Sequence, residues 1–256
     1  MRRAAGLVAV LALLTSCGAA AGEGELVGSR LVEAATSTTE STTSTTTPST
    51  TTPPTTMSST TTSSSTTTVA VVAGRRVHQQ DYTPFATVGG VTLLHPANRV
   101  EMIGYHESNL DGAQNLDPVV TSAPWTTLEG RGRDTAPRGS ADVVVDPDAE
   151  IRAPVTGTVL YSGTYVLYCR YSDDFLIIEP DSRPGWEVKV LHIDGVRPRP
   201  GQRVEAGVTV IASRATRLPF ASQVEEVAAS PPWPHVHIEV DDPTIPNRPK
   251  PPAAGC

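Results

Sequence analysis

The sequence predicts an all-β fold of antiparallel sheets, and three observations support the prediction. Between residues 140 and 240 the apolar runs are four to eight residues long and rich in β-branched side chains. Glycine, proline, aspartate and serine bound these runs, as they do at turns. A single segment, SQVEEVAAS, has a helix start signal, because Glu225 stands three residues after Ser222. The predicted strands, in order, are ADVVV, GTVLYSG, YVLYC, FLIIE, WEVKVLHI, VTVIA and HVHIEV.

The N-terminus, residues 1–17, has the pattern of a secretory signal. Two arginines precede the apolar run AAGLVAVLALL, which is too short to cross a bilayer. The run leads into Leu14-Thr15-Ser16-Cys17, which resembles a bacterial lipobox, where cleavage leaves an acylated cysteine. Lipidation of Cys17 would anchor the protein to the outer face of a membrane. The alternative is an ordinary signal peptide with an incidental cysteine, and both interpretations predict an extracytoplasmic protein, lipid-anchored or secreted.

The rest of the chain divides by composition. Residues 18–80 are predicted to be a disordered stalk, open to O-glycosylation, because threonine, serine and scattered proline cannot bury enough apolar surface to fold. Residues 81–124 are predicted to be an extension that packs on the domain, residues 125–245 the domain itself, and residues 246–256 a proline-rich tail. The net charge of −7 argues against a nucleic-acid partner, and we expect a monomer.

Assigning Cys17 to lipidation leaves two of the three cysteines. In an oxidising compartment an even remainder favours a disulfide, here between Cys169 and Cys256, which would hold the C-terminal tail against the domain. The alternative is a pair of free thiols.

The stretch WPHVHIEV, which begins at Trp233, predicts a functional face. On a β-strand the period of two places His235 and His237 on one face, while Val236 and Ile238 enter the core. Two neighbouring imidazoles could both hold a metal, or one could hold it while the other moves protons.

Four segments, in this order along the chain, extend the pattern. They are SADVVVDPDAEIRAPVTGTV from Ser140, VKVLHIDGV from Val188, PRPGQRVEAGVTVIA from Pro198, and PHVHIEV from Pro234. They resemble the M23 peptidase family, whose LytM-type domains cut peptide cross-links in peptidoglycan. The resemblance covers residues 130–240 and implies a LytM-like β-sandwich with an open groove.

The resemblance also implies roles for four residues. The family holds zinc with an early histidine, an aspartate four residues later, and the second histidine of H-x-H. By this resemblance Asp142 and His237 are metal ligands, and His192 and His235 are the catalytic histidines. Three protein ligands leave a position at which zinc can activate water and polarise the scissile carbonyl.

The early histidine of the pattern is absent, because Arg138 stands four residues before Asp142. Arginine has no lone pair to donate and cannot ligate. If one ligand contributes about 3–4 kcal/mol of a zinc site, its loss lowers the affinity by two to three orders of magnitude. We therefore expect zinc binding in the family's usual mode to be weak or absent.

Two further hypotheses concern this gap. Arg138 could form a bidentate pair with Asp142 and fill the metal's space, or it could be a solvated turn residue. An upstream residue could instead replace the missing ligand: the candidates are His106, beside Glu107 in MIGYHESNLDG, and His95 in LLHPAN. The same upstream segment could also cover the groove.

These features give three candidate functions. The favoured one is a cell-surface lipoprotein whose zinc-deficient domain binds peptidoglycan or regulates a cell-wall hydrolase, since strand edges can grip a peptide without a metal. The second is an active zinc endopeptidase with an altered ligand set. The third is a structural lipoprotein of the envelope, because a fold does not fix a function.

Overall fold

The computed structural model describes residues 74–249, and its regular structure is almost entirely β. This confirms the predicted all-β class. The fifteen strands are β1 (His78–Gln79), β2 (Pro84–Val88), β3 (Val91–Leu94), β4 (Arg99–His106), β5 (Asp117–Pro118), β6 (Trp125–Thr127), β7 (Ser140–Val145), β8 (Ile151–Arg152), β9 (Gly157–Leu167), β10 (Tyr171–Pro180), β11 (Glu187–Asp194), β12 (Arg203–Val204), β13 (Val210–Ala212), β14 (Arg214–Ala215) and β15 (His235–Asp241).

Ten of these strands form one sheet, in the order β1-β4-β7-β15-β11-β10-β9-β12, with β6 beside β4 and β14 beside β11. The neighbours in this sheet are antiparallel except for the pair β4 and β6, which is parallel. Separate sheets hold β3-β2-β5 and β13-β8. Residues 81–124 therefore supply both the three-stranded sheet and β4, an inner strand of the main sheet.

The core is built from the short β-branched runs. Every residue of β7 is buried, and in β15 the side chains of Val236, Ile238 and Val240 are fully enclosed. β4 joins the same core through Val100, Ile103 and Tyr105. Because β7 lies between β4 and β15, these three adjacent strands share one packed core.

The predicted helix at Ser222 is reduced to a four-residue 3₁₀ turn, Gln223–Glu226. The hydroxyl of Ser222 makes no capping hydrogen bond. Val224 is the one buried residue of the turn, whereas Val227 is half exposed, so no apolar stripe is available to hold a longer helix.

Several sequence predictions fall outside the described residues: the signal and lipobox with Cys17, most of the stalk, and the end of the tail with Cys256. Cys169 is in a disulfide. Both other cysteines lie beyond the described part of the chain, so its pairing with Cys256 stays a prediction. Within residues 74–249, no helix has the length and apolar character needed to cross a membrane.

Candidate metal centre

Three adjacent strands bring two histidines and an aspartate to one point. Asp142 on β7 lies opposite Gly104 of β4 on one side and opposite His237 of β15 on the other. His106 lies two residues beyond Gly104, on the same face of β4. One ligand atom from each of His106, Asp142 and His237 lies within 4.8 Å of the others. We call these three residues the triad.

The His106 ring is oriented with one nitrogen toward Asp142. Its Nδ1 lies 2.8 Å from the Glu107 carbonyl oxygen, which can only accept, so Nδ1 carries a proton and Nε2 is the nitrogen that faces Asp142. Nε2 is 3.2 Å from Asp142 Oδ1 but is not aligned for a hydrogen bond, although the side chain is only 3% exposed. A buried ring nitrogen without an aligned partner is unfavourable unless something else binds it.

Three histidine rings approach the carboxylate of Asp142. Burial alone would raise the pKa of its carboxyl, but the imidazoles of His106, His235 and His237 outweigh burial and hold the pKa well below its usual value. His237 Nδ1 lies 2.8 Å from Asp142 Oδ1, and His235 Nε2 lies 3.8 Å from Oδ2. The carboxylate is therefore ionised, as a metal ligand must be.

His237 is held from both sides. Its Nδ1 contacts Asp142, and its Nε2 lies 3.6 Å from the carboxylate of Glu239, which is fixed by a 2.6 Å hydrogen bond from the Ser108 hydroxyl. Burial lowers the pKa of His237, but the hydrogen bonds to Asp142 and Glu239 have the larger effect and raise the pKa to about 9. A metal at this nitrogen would have to displace a proton, and Glu239 is placed to orient the imidazole if it held one.

The triad fits a divalent metal. Its donors are two imidazole nitrogens and one carboxylate oxygen, a combination that zinc accepts at about 2.0–2.1 Å. Ligands at that distance from a tetrahedral ion lie about 3.3 Å from one another. The spacing of 3.2 Å between His106 Nε2 and Asp142 Oδ1 is close to this value, whereas the 2.8 Å between His237 Nδ1 and Asp142 Oδ1 is a hydrogen-bond distance that a metal would widen. The partnerless Nε2 of His106 is the atom that a bound metal would satisfy.

The two expected catalytic histidines stand beside the triad. The His192 ring centroid lies 5.1 Å from that of His235 and 5.7 Å from that of His237. His235 is almost fully buried, and burial, opposed by Asp142, lowers its pKa to about 3, so its ring is neutral. His192 is 12% exposed and reaches the surface of the site.

Asp173, a residue outside the motifs found in the sequence, holds His192. Its Oδ2 lies 2.7 Å from His192 Nδ1 and accepts a hydrogen bond of 2.7 Å from the hydroxyl of Tyr165. Burial raises the pKa of Asp173, but the hydrogen bond and charge of His192 outweigh it and the pKa is lowered. The segment YSDDF gave only a weak signal: a polar pair ahead of an apolar run.

The hypothesis that Arg138 pairs with Asp142 is wrong. The Arg138 side chain points away from the triad, donating a 2.8 Å hydrogen bond to the Leu116 carbonyl and lying 3.6 Å from Asp117. Residues 137 and 138 form a turn before β7, so the strand alternation that places Asp142 does not extend to position 138. The structure thus brings His106, Asp142, His192, His235 and His237 together and leaves Arg138 outside.

The other upstream candidates lie elsewhere. His95 is fully buried against the ring of Phe85, 5.3 Å away between centroids. Glu107 turns its carboxylate to the backbone amides of Arg131 and Arg133, at 2.7 and 3.1 Å. His106 is therefore the upstream residue that the structure places at the site. Comparisons of this chain with protein-family models, with curated proteins and with solved structures found no match.

Proposed function

We propose that this chain is a zinc-dependent peptidase that cuts peptide cross-links in peptidoglycan. The observation that carries the proposal is the convergence of His106, Asp142 and His237, in which His106 Nε2 and His237 Nδ1 both approach Asp142 Oδ1, with His192 and His235 alongside. The expectation of a zinc-deficient site depended on Arg138, and His106 supplies from β4 the donor that position 138 lacks. The M23-like order of segments supports the choice of substrate.

Each residue of the site has a separate task. His106, Asp142 and His237 would hold the metal, and Glu239 would orient His237. A bound zinc ion supplies Lewis acidity, which polarises a carbonyl oxygen and acidifies a water molecule.

The two remaining histidines handle protons and charge. His192, at the exposed side, accepts a proton from the attacking water at Nε2 and returns it to the leaving amine. His235, neutral and buried, donates an N–H toward the oxygen on which negative charge develops. The buried walls around His106 and His235 exclude bulk water, which strengthens these interactions.

The cell-surface location is part of the same proposal. The signal, lipobox and stalk pattern of residues 1–80 would place the site outside the cytoplasm, where peptidoglycan lies. The stalk would let the domain reach the wall while Cys17 stays at the membrane.

A second candidate, a module that binds peptidoglycan or a wall hydrolase without cutting, is favoured by the low exposure of the site. The side chains of His106, Asp142 and His235 are each less than 5% exposed. A substrate carbonyl would have to enter beside His192 and His237, the two more exposed rings.

The deciding experiment measures zinc and cleavage on the same full-length preparation. We expect one zinc per chain, lost in His106→Gln, Asp142→Asn and His237→Gln but kept in the control His78→Gln, whose histidine lies on β1. We also expect release of peptide fragments from purified peptidoglycan, abolished by chelation and restored by zinc. Tight zinc without cleavage would support the binding module, and no zinc at micromolar metal would overturn the peptidase.

A further inference from the structure

Asp173 is a buried carboxylate whose Oδ2 atom collects three donors. The ring Nδ1 of His192 lies 2.7 Å from it, the backbone N–H of His192 donates at 3.2 Å, and the hydroxyl of Tyr165 donates at 2.7 Å. The Asp173 side chain has no exposed surface. Two of the three donors belong to one residue, so Asp173 holds both the backbone and the side chain of His192.

The backbone at His192 is unusual in a way that explains this contact. In the ladder between β10 and β11, Asp174 pairs with Ile193 and Phe175 pairs with Leu191, so His192 has no partner and forms a β-bulge. Its φ of 60° is in the left-handed region, which a side chain larger than glycine rarely adopts. A bulge beside a site redirects a side chain, and such a conformation persists when its surroundings hold it.

The bulge directs the His192 ring toward the other histidines of the site. The ring stands edge-on to His235 and His237, with centroids at 5.1 and 5.7 Å. Since an ionised carboxylate only accepts, Nδ1 must carry the proton, and Nε2 is left with its lone pair.

We propose that Asp173 is a positioning residue that fixes the tautomer and the orientation of His192, with Tyr165 holding Asp173 in place. The catalytic part of this inference rests on the proposed function, because it assumes that His192 moves the proton. The tautomer part does not, since it concerns only the ring and its carboxylate partner.

The test of the tautomer uses ring ¹⁵N chemical shifts of the histidine-labelled full-length protein. We expect the proton on Nδ1 of His192 in the native protein, and its partial or full movement to Nε2 in Asp173→Ala and Asp173→Asn. Asp174→Asn is the matched control: it removes a neighbouring carboxylate, which bonds Thr164 at 2.7 Å and not His192. An Nε2-protonated native ring, or a ring unchanged in both Asp173 variants, would overturn the proposal.

The test of the catalytic part separates kcat from KM. General acid–base catalysis contributes about 10²–10⁴ in rate, so Asp173→Asn should lower kcat by about 10² or more while KM changes by less than about threefold. The zinc content should remain that of the native protein. A kcat equal to that of Asp174→Asn would overturn this part. If the native protein cuts no peptidoglycan, the proposed function fails, and the ¹⁵N result still decides whether Asp173 sets the tautomer.

Discussion

At the scale of single residues, the site depends on which atoms lack a partner. His106 Nε2 and His235 Nδ1 are buried nitrogens without a hydrogen bond, whereas Arg138 has partners in Leu116 and Asp117. The ring nitrogens of His95 also lack a hydrogen bond, so a buried nitrogen indicates a ligand position only where other ligand atoms converge on it, as they do on His106. Residue chemistry alone established that Arg138 could not ligate, and it named His106 as one possible substitute. Choosing between His106 and His95 required knowing which strand lies beside β7.

The first prediction concerns Arg138→His, which places a histidine four residues before Asp142, as in the M23 pattern. Because the side chain at 138 lies in a turn directed toward Leu116, we expect the new histidine to leave the zinc affinity within about threefold of the native value. His106→Gln, in contrast, should lower the affinity by two to three orders of magnitude, the share of one ligand in a site of about 10–16 kcal/mol.

Competition with a chromogenic zinc chelator measures both variants under the same conditions. A tenfold or larger gain in Arg138→His would mean that position 138 reaches the metal and that His106 is not the ligand. The double variant, with histidine at 138 and glutamine at 106, should bind as weakly as His106→Gln alone.

At the scale of strands, the period of two was the most informative feature of the sequence. It predicted that His235 and His237 share a face while Val236 and Ile238 fill the core, as the structure has them. It could not reveal that β4 pairs with β7, because pairing between distant segments is set by the packed core. Nor could it reveal the bulge at His192. A residue other than glycine that adopts a left-handed backbone conformation does not change the alternation of apolar and polar residues.

Arg75 ties the start of the described chain to β4 and to the segment that precedes β15. Its Nε lies 2.6 Å from the Glu101 carboxylate on β4, its guanidinium donates to the Ala229 carbonyl at 2.9 Å, and it stacks 4.4 Å from the centroid of Trp233. Glu101 is nearly buried, so removal of its partner leaves a charge poorly compensated.

The second prediction follows from this contact. Arg75→Ala should lower the free energy of unfolding by about 2 kcal/mol, the cost of losing charged hydrogen bonds at a mostly buried site. Arg76→Ala, which removes the adjacent exposed arginine, should change it by less than about 0.5 kcal/mol. Urea unfolding of both variants measures the difference. Equal midpoints would show that the contacts of Arg75 contribute nothing to the free energy of unfolding.

At the scale of the whole molecule, the sequence predicted the fold class but not the order of the strands in the sheet. Short β-branched runs between turn residues were sufficient to predict antiparallel sheets, because few other arrangements bury such runs. The position of residues 81–124 inside the main sheet was not predicted, since their apolar pattern looks like that of any edge segment. The tertiary arrangement also determines the environment of His95. Its ring is fully enclosed, and neither ring nitrogen has a hydrogen-bond partner.

The third prediction concerns the dependence of stability on pH. Burial lowers the pKa of His95 to about 4, below its unfolded value near 6.5. The unfolded chain therefore binds the extra proton first, and stability is lost as the pH falls from 6.5 to 4, by about 3 kcal/mol in total. His95→Phe, which keeps a ring against Phe85, should lose that part of the acid sensitivity.

This pH dependence is measured by thermal and urea unfolding from pH 7 to pH 4. The native protein is compared with His95→Phe. The difference in unfolding free energy should grow in favour of the variant as the pH falls, with the change concentrated below pH 6.5. If the unfolding free energies of the two proteins depended on pH in the same way, the folded protein would be stabilising the protonated imidazole of His95. His78→Phe on β1 serves as the control for adding an aromatic ring.

The placement of His106 on β4 has a consequence for how such sites are recognised. Because β4 and β7 are neighbours, a side chain of β4 reaches Asp142 although the two residues are 36 positions apart in the sequence. A search pattern that demands a histidine four positions ahead of the aspartate does not include this arrangement. A pattern that allows the donors to come from any of three adjacent strands would include it.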